Sequence, residues 1–377
     1  MIGFITSFFT FFLIFLNYSL FAANFNYGSE FAAKSDNAHL SLINAMTQAE
    51  DRIYAVGVHG IIIFSDDEGG TWTQASSVPT QNTLTDISCA TKEECWATGH
   101  DSTILYSNDF GNNWVVQYRD VDFDAPLLSI HMYDNKIGVA IGAFALSLRT
   151  SNGGETWDYL FLTDDEFQPH LNYTYGDQQS WRESSKDEGF AVGELGKYYV
   201  SDDQGLNWLI VDTGYYGSFW SGVKIDNGQS LLLGMSGNLT LATLLDRNEN
   251  PPLDKEVYLA CYESGLYDGD CRVYVFDNLF IGTKNSMTNG TVLRDGRVAI
   301  SGNGGIVTIV DLHKEKNIKT CVRGDRLSNT SIIQLSSDEF LIAGERGIRR
   351  HSMKECQDNF NNTESNSQDS FIIVSIN

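Results

Sequence analysis

Residues 55–72 read Ala55-Val-Gly-Val-His-Gly-Ile-Ile-Ile-Phe-Ser-Asp-Asp-Glu-Gly-Gly-Thr-Trp72. The stretch contains an apolar run that ends at Gly57, a second apolar run at 61–64, and a turn of the form Ser65-x-Asp67-x-Gly69-x-x-Trp72. Short runs rich in β-branched and aromatic residues, bounded by Gly and Asp, read as strands. The run-closing glycine recurs at Gly99, Gly142, Gly193, Gly234, Gly302 and Gly344, at intervals of 42, 43, 51, 41, 68 and 42 residues counting from Gly57. A period in the low forties, without 3.6-residue periodicity, indicates four-stranded propeller blades. The expected fold is therefore all-β: a seven-bladed β-propeller with four-stranded blades.

The turn can be explained residue by residue. The hydroxyl of Ser65 and the carboxylate of Asp67 can accept hydrogen bonds from nearby backbone N–H groups, which stiffens a hairpin. Gly69 supplies a positive φ that a side chain would oppose. Trp72 opens the next strand and can pack between blades. Burying such a ring contributes up to roughly 4–6 kcal/mol at ~25 cal/mol/Å². The turn recurs as Ser107/Asp109/Gly111/Trp114, Thr150/Asn152/Gly154/Trp157 and Ser201/Asp203/Gly205/Trp208, always with seven residues from hydroxyl to Trp. After Ser236, Ser301 and Gly344 it is degenerate, so the last three blades rest on the glycine pattern.

These turns are Asp-box (BNR) hairpins. Together with the leading Val-Gly-x-x-Gly, the pattern resembles the Ycf48/HCF136-like family of seven-bladed propellers over about residues 39–350, most strongly at 55–72 and 191–208. Family members of known role are photosystem II assembly factors. The resemblance thus implies a non-enzymatic factor that binds a protein partner in an envelope or membrane complex. It implies no cofactor.

Residues 1–29 contain no Lys, Arg, Asp or Glu, and 3–16 are strongly apolar. With the small residues Ala22 and Ala23 ahead, residues 1–23 read as a cleaved signal peptide, and 24–377 as one propeller. An uncleaved anchor is the alternative, because the segment lacks a positive start. The expectation is a secreted, periplasmic or extracellular monomer, not inserted in the membrane once the signal is removed. Six cysteines behind such a leader suit an oxidising compartment. By position they pair as Cys89–Cys95 in blade two, Cys261–Cys271 in an insertion, and Cys321–Cys356 between strands of blade seven. A metal site has neither a Cys-x-x-Cys pair nor nearby His to support it. A net charge of −24 opposes binding to nucleic acid and to anionic membrane surfaces.

Two intervals exceed the basal period. One contains 164–187 with Tyr173, Tyr175 and Trp181, and is followed after the next blade by Tyr215, Tyr216 and Trp220. Aromatics in surface connections are candidate recognition residues, and these six are the candidates for partner binding. The other long interval contains an insertion in blade five at about 246–285. Its Asp246-Arg-Asn-Glu-Asn250 opening lacks the Gly and the closing Glu of a calcium loop.

No constellation of catalytic residues stands out, because each Asp box is accounted for by its hairpin. Two alternatives to an assembly factor remain. One is a glycan- or peptide-binding propeller that uses the aromatic connections. The other is a sialidase-like glycoside hydrolase, which requires three arginines converging on the central funnel, although the chain contains no Arg-Ile-Pro motif. Arg346, Arg349 and Arg350 come nearest to a basic docking patch.

Overall fold

The computed structural model describes residues 31–162, 168–176, 189–226, 228–244, 272–312, 317–336, 339–352, 361–363 and 371–375. The expected fold is present: seven antiparallel sheets arranged as the blades of a propeller. The seven inner strands are Ile43–Ala49, Leu84–Cys89, Leu127–Met132, Leu171–Gly176, Phe219–Asp226, Met287–Val292 and Asn329–Gln334. They surround a central channel of about 710 Å³.

Each repeat glycine ends the second strand of its blade. The packing explains why glycine stands there. A Cβ on Gly57 would lie 2.2 Å from the Leu42 carbonyl oxygen, and one on Gly142 would lie 2.2 Å from that of Pro126. The same clash with the chain entering the inner strand occurs at Gly99, Gly193, Gly302 and Gly344. Gly234 is looser: its nearest neighbour is the Asn238 side chain at 3.1 Å.

Apolar side chains meet between sheets, so each blade interface is its own core. Trp96, Ile104, Leu127 and Leu148 join blades two and three. Phe190, Val211, Phe219 and Phe276 join four and five. Ile43, Ile63, Leu341 and Ile348 join blade seven back to blade one.

Between inner strands the contact is polar. Asn44 Nδ2 donates to the Leu84 carbonyl at 2.7 Å, Thr85 Oγ1 to Leu127 at 2.7 Å, and Asn172 Nδ2 to Phe219 at 2.7 Å. Thr288 Oγ1 reaches Asn329 at 2.7 Å, and Thr330 Oγ1 reaches Ile43 at 2.6 Å. All five donors hold the second position of their strand, and each bonds to the first residue of the next inner strand. The latches satisfy carbonyls at the channel wall and fix the spacing of the blades.

Two expectations, four strands in every blade and the placing of Cys321, need correction. Phe371–Ser375 pairs with Arg272–Asn278 as a fifth strand on blade five. Asn361–Thr363 extends blade six, and blade seven has three strands among the described residues. Cys321 lies in the fourth strand of blade six, Asn317–Val322, rather than in blade seven.

The Cys89–Cys95 disulfide forms across the first hairpin of blade two, as expected. Cys321 is also disulfide-bonded. Cys261, Cys271 and Cys356 lie outside the described residues, as does the segment 1–23. Among the described residues no helix is long and apolar enough to cross a membrane.

Candidate protein-binding face

The two ends of the propeller differ in chemistry. One end carries the Asp boxes. In the first, Ser65 Oγ donates to Asp67 at 2.8 Å and accepts the Gly69 N–H at 2.8 Å. Asp67 then accepts the Thr71 backbone N–H at 2.8 Å and its hydroxyl at 2.9 Å. Thr150, Asn152, Gly154 and Thr156 repeat the arrangement with an amide in place of the acid.

In the second and fourth boxes, Asp109 and Asp203 each accept two bonds from the following Asn, Asn113 and Asn207. Burial raises the pKa of both carboxyls, but these hydrogen bonds outweigh it and hold them below the usual carboxylate range. Asp67 is held low mainly by the Thr71 N–H. The box carboxylates are therefore hairpin acceptors, not proton carriers.

Each box also presses on the preceding blade. A Cβ on Gly111 would lie 2.6 Å from Tyr54, and one on Gly205 would lie 2.5 Å from Val139. Both glycines have positive φ, 76° and 75°. Trp72, Trp114, Trp157 and Trp208 pack in the interface between their own blade and the one before it.

The channel wall holds two displaced titrations. Burial pushes the Asp86 carboxyl up to about 6, although Ser129 Oγ donates to it at 2.6 Å and the Ile130 N–H at 3.0 Å. Burial alone pushes the His131 imidazole down to about 3. His131 is enclosed by Tyr133 at 5.0 Å and Tyr175 at 5.4 Å. Lys224 lines the channel, but no arginine among the described residues does, so the triad required by the sialidase reading is not among them.

The opposite end, where the repeat glycines lie, is the one that displays aromatics. Phe123, Phe144, Tyr159, Phe161, Tyr216, Trp220 and Phe280 are exposed, and all sit in or beside strand connections at this glycine face. The six sequence candidates divide. Tyr173 and Tyr175 stand on the inner strand of blade four, half-buried against Phe190 and lining the channel. Tyr215 packs on Phe219 at 4.9 Å and donates to the Met235 carbonyl at 3.3 Å. Tyr216 is 87 % exposed and Trp220 44 %. Trp181 lies outside the described residues.

Across the ring, Arg323 from the connection between blades six and seven joins Arg346 and Arg349 around one small pocket, and Arg326 lies in the same connection. Asp325 pairs with Arg349 and, at 2.7 Å, with Arg323. Arg326 and Arg346 are exposed. Arg350 turns away to the Glu68 carbonyl at the Asp-box end, at 2.8 Å. The basic patch is thus built from two connections, of which sequence inspection identified one.

A family profile described as photosynthesis system II assembly factor YCF48 matches residues 74–242. Among solved structures, "YCF48 bound to D1 peptide" superposes with a TM-score of 0.58 at 16% identity, over 83% of this chain and 92% of that one. YCF48 from Cyanidioschyzon merolae superposes with a TM-score of 0.59 at 14% identity, over 87% and 99%. This chain is a Ycf48-like propeller.

The likeness of shape alone is broader. The WD40 propeller domain of Doa1 gives a TM-score of 0.57 at 11% identity, over 86% and 95%. The sequence profile is what separates the Ycf48-like chain from such frames. No curated protein matches by sequence. The matched stretch covers blades two to four, with three of the four Asp boxes, and most of blade five. Sequence reasoning missed Phe123, Phe144, Tyr159 and Phe161 on this Ycf48-like scaffold. A signal for Phe144 was present: it stands two residues after a repeat glycine, the position held by His59, Leu195 and Ser236 in other blades.

Proposed function

We propose that this chain is a non-catalytic assembly factor that holds a segment of a partner protein on its glycine face while the partner enters a membrane complex, outside the cytoplasm. The observation that carries this reading is the gathering of exposed aromatics and of the arginine patch on one face, while the Asp-box end has its carboxylates engaged in hairpins. Aromatic and Arg side chains are enriched at protein interfaces: the rings bury much area at small entropic cost, and the guanidinium adds charge-assisted hydrogen bonds. The Ycf48 profile supports an assembly role, and a solved YCF48 carries a peptide.

The test is site-specific photocrosslinking in the native host, with the probe at Tyr216 on the glycine face or at Thr71 on the Asp-box face. One dominant membrane-complex subunit captured from position 216 and not from 71 is the expected result. Equal capture from both positions, or none above a leader-bearing control protein, overturns the reading.

A further inference from the structure

Blade three carries a cleft of about 350 Å³ at the rim of the glycine face, walled by Phe123, Phe144, Tyr159 and Phe161. All four rings are exposed; Phe161 is exposed by 86 % and Phe144 by 51 %. Folding does not account for this. Exposed apolar groups forfeit their transfer free energy, and monomers rarely gather them into one patch.

Phe144 also sits at φ 55°, ψ 41°, the left-handed region that a bulky side chain seldom occupies, and Ala145 follows at φ 55°. The cost of that conformation is met by the repeat frame around it: Ala143 N–H bonds Pro126 O and Ala145 N–H bonds Pro169 O. The result is an aromatic held outward by a rigid backbone, as at ligand clamps.

The surroundings state the charge of the occupant. Asp120 accepts the Tyr159 hydroxyl at 3.0 Å and the Asp122 and Phe123 N–H groups at 3.1 and 3.0 Å, which folds the connection over the cleft. Asp122 and Asp124 flank Phe123, and both are exposed. The nearby cations point elsewhere: Arg119 donates to Thr103 and Pro79, and Arg149 to the Gln204 carbonyl. An apolar floor with an acidic rim complements large apolar side chains flanked by cations.

We infer that this cleft is a second docking site, distinct from the arginine patch, for a partner-protein segment that carries two or more large apolar side chains beside Lys or Arg. The inference rests on the protein-binding reading above, but concerns a different surface.

The experiment measures fluorescence anisotropy of three labelled synthetic peptides against the intact purified chain. One peptide has a Phe/Leu centre with Lys flanks, one the same centre with Glu flanks, and one a Ser centre with Lys flanks. The first should bind more tightly than either control. Phe161→Ser, which removes a ring already in water and leaves the fold intact, and Phe144→Ser should together weaken it at least about tenfold. Asp122→Lys should shift preference from Lys flanks toward Glu flanks.

The inference is overturned if the Lys-flanked Ser peptide binds as well as the apolar one, or if neither Phe variant changes the affinity. It is also overturned if Arg326→Glu and Arg346→Glu, rather than the Phe variants, abolish binding. Failure of crosslinking from Tyr216 bears on the proposed function alone, because that residue is outside the cleft.

Discussion

Thr330 Oγ1 donates to the Ile43 carbonyl at 2.6 Å, joining two residues 287 positions apart in the chain. The bond repeats, between the last blade and the first, the latch that Asn44, Thr85, Asn172 and Thr288 make between consecutive blades. Beside it, the Met46 N–H donates to Ser331 Oγ at 3.3 Å. Replacing Thr330 by the isosteric Val leaves a half-buried carbonyl without its partner. The expected loss is about 1–2 kcal/mol in urea unfolding. A stability equal to the parent chain would show that the latch is idle.

The repeat glycines differ in how tightly they are held, and substitutions should follow that difference. Gly142→Ala places a methyl 2.2 Å from a backbone oxygen that cannot swing aside, so destabilisation of about 3 kcal/mol or more is expected. Gly234→Ala meets only the Asn238 side chain at 3.1 Å and should cost below about 1 kcal/mol. Thermal unfolding of the pair ranks them; the reverse order would contradict the packing.

Asp86 and His131 should pull stability in opposite directions with pH. The folded Asp86 carboxyl titrates near 6, against about 3.9 in an unfolded chain. The folded state therefore holds its proton longer, and stability falls as pH rises from about 4 to 6. Relative to Asp86→Asn, the parent should lose roughly 2–3 kcal/mol between those limits. His131 titrates near 3 when folded, against about 6.5 unfolded. The unfolded state takes its proton first, so stability falls as pH drops from about 6.5 toward 3. Relative to His131→Leu, the parent should lose about 3 kcal/mol between pH 7 and 4. Urea titrations at the three pH values measure both, and parallel curves for parent and variants would refute the assignment.

Tyr216→Ala and Trp220→Ala should weaken partner capture without disturbing the blades. Tyr216 is almost wholly in water, so its removal should change stability by less than about 0.5 kcal/mol. The affinity of the double variant for the captured subunit, read by biolayer interferometry, should fall about tenfold or more. Unchanged affinity would move the contact elsewhere on the face.

What the sequence revealed follows from the range of each constraint. Gly57 and its counterparts are legible because a backbone oxygen beside them excludes any side chain. The Asp boxes are legible because Ser65, Asp67, Gly69 and Thr71 bond within a few residues of one another. The destination of the C-terminal strand was not, since an apolar run shows that it needs an edge without showing which one. The apolar cleft was largely hidden: Phe144 could be placed by its repeat glycine, but Phe161 satisfies no periodicity and fills no core, and nothing in the sequence brings the two together. The arginine patch was half visible: 346–349 is one connection, and the other, with Arg323, is brought beside it only by the ring.

Because Phe371–Ser375 is joined to blade five, no β-ladder among the described residues stitches blade seven to blade one. The circle is a split washer. Its two lips are held by the apolar contacts of Ile43, Ile63, Leu341 and Ile348 and by the Thr330 latch, and all of these can part and re-form without any strand leaving its sheet. Mechanical load or denaturant should therefore open the ring at this joint first, turning a closed disc into an arc whose blades are still intact.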